Sequence, residues 1–395
     1  MAPTTSVPHI RDEQRRARLG RRHLLAPGHR AATVEEVADA LVGLHATDPA
    51  TVYLSACARL AEPSAAEVER GLYEDVTLVK LLSMRRTIFA VSTATAPYVG
   101  SSTARAIALK ERAGLLKHLR ESLPGWDERR LVRTEQEVLA ALAARGEATT
   151  SELAEDVPAL RESVVMSPGK PYEARQSVGS RVLRLLAADG HVRRARPRGS
   201  WTSSLYPWAP APQLPDVPVR EAKAELVRRR LASYGPSTEA DLKWWTGWTL
   251  RDTRTALADA GARAVRLDAG AGFALPGDLG DVEPCGDWAA LLPGLDSTAM
   301  GWRERDWYLS PDVPALVASL FDRAGNVGPT VWWNGRVVGG WAQRADGEIV
   351  RRVLTDVGRD AEAAIDAEAV RLSAWIGNVR VTPRFRTPLE RELVR

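Results

Sequence analysis

Cysteine is nearly missing from this 395-residue chain: Cys57 and Cys285 lie far apart and form no CxxC pair. Neither a disulfide framework nor a thiolate zinc site is implied, and a reducing compartment suits the composition. The six histidines (His9, His23, His29, His45, His118, His191) include no HExxH and no other metal-ligand spacing, so no metal is expected. No GxGxxG opens a helix, no GxxxxGKS or GxxxxGKT is present, and no GxSxG elbow occurs. Dinucleotide, nucleoside triphosphate and hydrolase-elbow readings therefore have no motif, and no cofactor is expected. Apolar runs are broken by charges before bilayer length, and Met1 to Arg22 has no apolar core of signal-peptide length. The expected location is cytoplasmic and nucleoid-associated, away from any membrane.

What the chain does have is enough apolar residue, 45%, for several buried cores and two to four domains. Charged residues make up 26%, with both signs mixed, and the net charge is +4. That mild excess, with a pI near 9.2, permits a polyanionic partner without requiring one. Thirteen tryptophans stand against four phenylalanines, most of them in the second half.

Three segments read as small helical units of one plan, three helices followed by a hairpin. In the middle unit (128–210), Leu131, Val138, Leu139 and Leu142 recur at mainly helical spacing and Gly146 stops the run. Thr150 is the expected cap of a short second helix. After an insertion with Ser167, Pro168, Gly169 and Pro171, Val178, Val182, Leu183, Leu185 and Leu186 mark a candidate recognition helix that Gly190 ends. The basic hairpin from His191 completes the winged-helix order. A third unit (218–280) repeats that order, with Ser237 or Thr238 as a cap and a glycine-rich hairpin after Gly261. In the first unit (10–127), Thr33 caps an amphipathic helix and TIFAV is strand-like. Pro207 to Pro218 reads as an extended linker. From residue 281 to 395 the pattern is short strands with turns at Asn334-Gly335 and Asp346-Gly347, forming a β-rich, barrel-like domain with one late helix. The fold class is α+β: tandem winged helix-turn-helix domains forming a C-shaped DNA cradle, with a C-terminal β-rich domain.

Two groups of residues carry candidate chemistry. The wing places Arg193, Arg194, Arg196 and Arg198 beside Trp201 and Tyr206, which suits phosphate contact with stacking nearby; a solvated charged hairpin is the plainer alternative. A second basic run, Arg15 to His23, reads equally as a DNA contact or as the charged face of a helix. The string GLHATDP, Gly43 to Pro49, sets His45, Thr47 and Asp48 within four residues. An imidazole can orient a water, a hydroxyl can hold it and a carboxylate can stabilise a developing cation. Local capping ahead of Pro49 is the competing explanation. The tryptophan pairs Trp244-Trp245 and Trp332-Trp333 are expected to pack rather than to stack on bases.

Five strings together, GLHATDP, SMRRTIF, YGPSTEADLKWWTG, LLPGLDSTAMGWRERDWYL and GRVVGGW, resemble the winged-helix DNA-binding family of the bacterial AlkZ and YcaQ alkylpurine DNA glycosylases, which unhook interstrand crosslinks. The resemblance runs from about Arg15 to the C-terminus. It implies a monofunctional glycosylase excising bulky N-alkylated purines, in DNA repair or in self-resistance to a genotoxin, with double-stranded DNA as partner and a monomeric state. The family's catalytic Gln-x-Gln or Gln-x-Asp falls where this chain has His45-Ala46-Thr47, a departure at both positions. The resemblance thus assigns His45 to orient water, Thr47 to assist and Asp48 to stabilise oxocarbenium charge. Arg85, Arg86 and Arg175 join Arg193, Arg194, Arg196, Arg198 and Trp201 as expected DNA contacts. A non-catalytic DNA-binding regulator or damage sensor that keeps the cradle without the glutamines is the alternative.

Overall fold

The structure is a computed structural model and describes residues 7–166, 169–170, 173–309, 314–383 and 386–395. Its architecture is mixed α+β. The first segment comprises α1 (Asp12–Arg22), α2 (Val34–Ala40), β1 (Leu44–His45), α3 (Pro49–Cys57), α4 (Ala65–Glu69), β2 (Leu78–Leu82), β3 (Ile88–Ser92), α5 (Ala96–Val99) and α6 (Arg105–Ser122). Thr33 caps α2 as expected, its side chain accepting from Glu36 N at 3.3 Å. The three strands form an antiparallel sheet in the order β1-β3-β2, with His45 opposite Phe89 and Phe89 opposite Leu81. Because side chains alternate along a strand, those three share one face, while Lys80, Leu82 and Ile88 share the other.

The second segment contains α7 (Glu128–Arg145), α8 (Thr150–Asp156), β4 (Ser163–Met166), β5 (Ala174–Ser177), α9 (Val178–Ala188), β6 (Val192–Arg194) and β7 (Trp208–Pro210). The cap of α8 is Thr149, one residue before the expected Thr150. Its hydroxyl accepts from Glu152 N at 3.2 Å while the Glu152 carboxylate accepts from Thr149 N at 2.6 Å, a reciprocal arrangement open only to the residue three before the glutamate. The flanks of the expected insertion pair as β4 and β5, and Ser167, Pro168 and Pro171 lie outside the described residues. Part of the expected linker is strand instead, since β7 pairs with β6 to close the wing.

The third segment holds α10 (Val219–Tyr234), α11 (Glu239–Thr246), α12 (Leu250–Asp259) and the hairpin β8 (Arg263–Leu267) with β9 (Gly270–Ala274). Thr238 and Asp241 cap α11 reciprocally. The last segment comprises β10 (Ala289–Leu292), α13 (Pro314–Leu320), β11 (Thr330–Trp333), β12 (Arg336–Gln343), β13 (Ile349–Val353), α14 (Arg359–Ile376) and α15 (Pro388–Leu393). Its four strands form an antiparallel meander in sequence order, with α14 packed on β10 and β11. Asn334 and Gly335, with φ of 44° and 82°, make the tight turn between β11 and β12.

Two large cores result. One runs continuously through the first, third and last segments and includes Leu44, Tyr53, Leu231, Trp245, Trp332 and Leu372. The other belongs to the second segment and is closed by Leu115 and Leu119 of α6. Most of the basic run on α1 is held inside the fold, while Arg21 is exposed. Arg15 stacks 4.1 Å from the Trp307 ring, Arg16 donates to Trp307 O at 2.6 Å, and Arg18 donates to Gly280 O at 2.6 Å.

Candidate active site and nucleic-acid cleft

The GLHATDP turn is built by close packing and then held from behind. Gly43 has φ of 119°, and a Cβ there would lie 2.8 Å from Val91 Cγ1, so only glycine fits. Past β1, Ala46 N donates to Ile88 O at 2.7 Å and Thr47 Oγ1 accepts from Ile88 N at 3.3 Å. Asp48 then caps α3, accepting from Ala50 N at 3.0 Å, with Pro49 in the first turn. Local capping and a chemical role are therefore compatible for this carboxylate.

The support comes from LLPGLDSTAMGW, a string that sequence reading had flagged only as a marker of resemblance. Ser297 Oγ accepts from His45 N at 3.2 Å and donates to Gly43 O at 2.9 Å, while Thr51 Oγ1 donates to Gly294 O at 2.9 Å. Beneath them Asp296 makes a wholly buried bidentate pair with Arg59, at 2.9 and 2.7 Å, and accepts from Ser55 Oγ at 2.6 Å. Burial opposes ionisation of Asp296, yet the charge and bonds of Arg59 hold its carboxyl below the ordinary value. Breaking one partner of such a pair strands a buried charge, so this cluster fixes the turn firmly.

His45 is on the inner face of the β1-β3-β2 sheet. It is 2% exposed, packs edge-on against Phe89 with centroids 5.1 Å apart, and has a buried Nδ1 with no partner among the described residues. Burial, reinforced by the charge of Arg85, lowers its pKa to about 4, so the imidazole is neutral. Thr47 and Asp48 instead line a wide cleft on the opposite side of the sheet, and His45 does not line it.

That cleft has about 1060 Å³ of free room and brings together cations from two segments. Lys80 and Arg86 come from the first; Arg181 and Arg184 of α9 and Arg193 and Arg194 of β6 come from the second. Arg181 Nε and Arg193 Nη1 are buried without an acceptor among the described residues. Arg194 stacks on Tyr206 with its guanidinium 4.6 Å from the ring, and Arg86 pairs with Glu111. Arg181 and Arg184 were missed by sequence reading because attention fell on the apolar face of α9; their spacing of three, on its other face, was the available signal. Lys80 was missed because it sits in an otherwise apolar strand.

The remaining expected contacts are elsewhere. Arg85 stacks 4.1 Å from the Trp244 ring, and burial with nearby Arg305 lowers its pKa to about 10. Arg175 is exposed on β5. Arg196 pairs with Glu69 and Glu74, and Arg198 with Glu152 at 3.3 Å. Trp201 is packed between Tyr53 and Trp375, with centroids at 5.0 and 5.5 Å, so its ring faces serve the core and a base cannot stack there without opening it. Trp245 and Trp332 are buried, in keeping with packing.

A second, much smaller cavity, with about 70 Å³ of free room, also borders this turn. Thr47 and Asp48 line it as well, joined by Leu54, Val327, Trp341 and Val381. Glu390 borders it, and burial raises that carboxyl to about 7. The turn is thus a partition between a cationic cleft and a mostly apolar pocket.

Comparison with known proteins bears directly on this arrangement. The family described as DNA glycosylase AlkZ-like matches residues 38–375. The chain belongs to the AlkZ-like DNA glycosylase family. It is therefore a DNA glycosylase acting in DNA repair, with DNA as substrate, and the alternative of a non-catalytic regulator gives way. Among solved structures it is similar to the Streptomyces sahachiroi DNA glycosylase AlkZ, at 22% identity and a TM-score of 0.68, over 95% of this chain and 99% of that one. That likeness establishes a shared fold. No curated protein matches the chain. Among the described residues no helix is long and apolar enough to cross a membrane.

Proposed function

We propose that this glycosylase excises bulky N-alkylated purines from double-stranded DNA, with Asp48 and Thr47 as the catalytic pair. The observation that carries the reading is the position of their turn between the two cavities. Duplex phosphates would lie along Arg181, Arg184, Arg193 and Arg194, the tandem three-helix and hairpin units acting as winged-helix modules around a DNA cradle. An alkylated purine is a cationic leaving group, so its departure needs charge stabilisation at the sugar more than acid assistance. As the C1′–N bond lengthens, the Asp48 carboxylate offsets oxocarbenium charge and takes the proton of the attacking water. Thr47 Oγ1 already accepts from Ile88 N, which orients its own O–H toward that water or the sugar. His45, neutral and enclosed, holds the turn in place rather than touching the water. The apolar pocket would receive the substituent of a bulky adduct, and a monomer suffices because one chain supplies both cavities.

The test uses duplexes carrying one N7-alkylguanine, either methyl or a long apolar group, with abasic sites read after alkaline cleavage. Release of the bulky base faster by about tenfold, the worth of a few buried methylenes, is expected. Equal rates for both adducts would remove the pocket from the mechanism. Release undiminished in Asp48→Asn would remove Asp48.

A further inference from the structure

Among the described residues, two stretches of chain border both cavities. One is the turn of Thr47 and Asp48 that leads into α3. The other is 381–383, in which Val381 and Pro383 line the apolar pocket and Thr382 lines the cleft. Thr382 is the sole cleft residue from the last segment, since every other described one belongs to the first or second. Residues 379–383 form neither helix nor strand, yet two side chains clamp them. Gln343, buried at the end of β12, accepts from Val381 N through Oε1 at 2.8 Å and donates from Nε2 to Val379 O at 3.1 Å. Because a main-chain N–H only donates and a carbonyl only accepts, the amide has one orientation here. Arg380 donates to Ala345 O at 3.1 Å and to Asp346 O at 2.5 Å, between β12 and β13. Thr382 is thereby held exposed at the cleft wall, while Val381 and Pro383 stay half-buried beside the pocket.

We propose that Thr382 is a further substrate-contacting residue of the base-release reaction, and that Gln343 is the residue that positions it. The inference rests on reading the turn of Thr47 and Asp48 as the catalytic one and the pocket as the seat of the substituent. A modified nucleotide whose sugar meets Asp48 and whose substituent enters the pocket spans the border of the two cavities. Both bordering stretches then flank it. Thr47 and Asp48 act at the sugar, whereas Val381 and Pro383 meet the apolar substituent and Thr382 offers a hydroxyl to the polar edge of the purine. In an N7-alkylguanine the polar atom beside the substituent is O6, an acceptor, and the Thr382 hydroxyl donates to it. That bond holds the base in the orientation that aims its substituent at the pocket and its C1′–N bond at the turn. Gln343 touches no part of the nucleotide in this arrangement: it fixes the main chain on either side of Arg380 and so sets where the hydroxyl stands.

The experiment gives the full-length protein a duplex with one N7-methylguanine or one bulky N7-alkylguanine and measures single-turnover base release. Binding to undamaged duplex is followed by fluorescence anisotropy. Thr382→Val keeps the shape of the side chain and removes the hydroxyl, and Thr382→Ser returns it. The expected result is release slowed about fivefold by Thr382→Val for both adducts, the worth of one neutral hydrogen bond. Thr382→Ser should stay within about twofold of wild type, and affinity for undamaged duplex should be the same in all three. Gln343→Leu should reproduce the loss, and adding Thr382→Val to it should cost little more, because the two changes remove one contact. Release by Thr382→Val at the wild-type rate overturns the inference, as does a loss that Thr382→Ser fails to restore. The same assay on Asp48→Asn separates the two readings: a large loss there with none in Thr382→Val leaves the catalytic turn standing and removes Thr382 alone. No loss in either variant overturns both. Thr382 is exposed, so its variants decide the matter whether or not Gln343→Leu folds.

Discussion

The two cavities that meet at Thr47 and Asp48 differ in almost every property except that border. The cleft is wide and ringed by five arginines and a lysine, whereas the pocket is far smaller and walled largely by Leu54, Val327, Trp341 and Val381. The cleft draws its walls from two cores, one of them that of the second segment closed by α6. The pocket is lined by residues of the first and last segments alone. The charged cavity thus lies between two packed cores, and the apolar one lies beside a single core. The lesson is that a single short turn can border both, provided something stiff stands behind it, and the Arg59–Asp296 cluster is that support.

Several measurements would break or sharpen this contrast. The largest effect is predicted for Asp48→Asn, which keeps the helix cap but removes the charge: base release should fall by about 100-fold or more for methyl and bulky adducts alike, with DNA affinity nearly unchanged. Selective loss for one adduct would mean that Asp48 serves one cavity only. Next comes acid stability. The His45 pKa drops from 6.5 to about 4 in the folded chain, so its contribution is intact above pH 6.5 and is lost as pH falls through 4. His45→Gln should flatten that acid limb by about 2 kcal/mol in denaturant titrations while changing base release less than about fivefold. A hundredfold loss of rate would return His45 to the catalytic centre.

Glu390 should behave in the opposite sense. Its pKa rises from 4.5 to about 7, so stability from this group is complete below pH 4.5 and is lost as pH rises through 7. Glu390→Gln is predicted to raise stability by about 1.5 kcal/mol at pH 8 and by little at pH 4.5, read as the difference in Tm between the two buffers. Val381→Trp, filling the pocket from a half-buried position, should slow release of the bulky adduct by about tenfold and spare the methyl adduct. The smallest effect separates arginines by their partners. Arg184→Ala should weaken duplex binding about fivefold and lower the salt slope by about 0.9, whereas Arg196→Ala, already neutralised by Glu69 and Glu74, should do neither.

Much of this was legible in one dimension because it depends on local rules. Helical spacing in 128–145, glycine stops at Gly146 and Gly261, and the Asn334-Gly335 turn all follow from residues within a few positions of one another. The expected caps at Thr33 and Thr238 hold for the same reason, and the slip from Thr149 to Thr150 arose where two adjacent threonines both satisfy the composition rule. Trp201 and the α1 arginines misled for a physical reason: a tryptophan near arginines has the same local appearance whether its faces meet a base or meet Tyr53 and Trp375. Nothing within ten residues distinguishes Arg198, paired to Glu152, from Arg193, whose Nη1 is buried without an acceptor.

The sequence alone determined the element order, the helix caps and turns, the importance of the Gly43–Pro49 string and the resemblance that family membership bears out. Only the tertiary structure decided which side chains of that string line the cleft. A strand turns successive residues to opposite sides, and which side becomes cleft and which becomes core depends on Ser297 and Asp296, some 250 positions away. The same long-range closure selected Arg181, Arg184 and Lys80 for the cleft, because burial and charge balance are sums over neighbours that the linear order does not bring together.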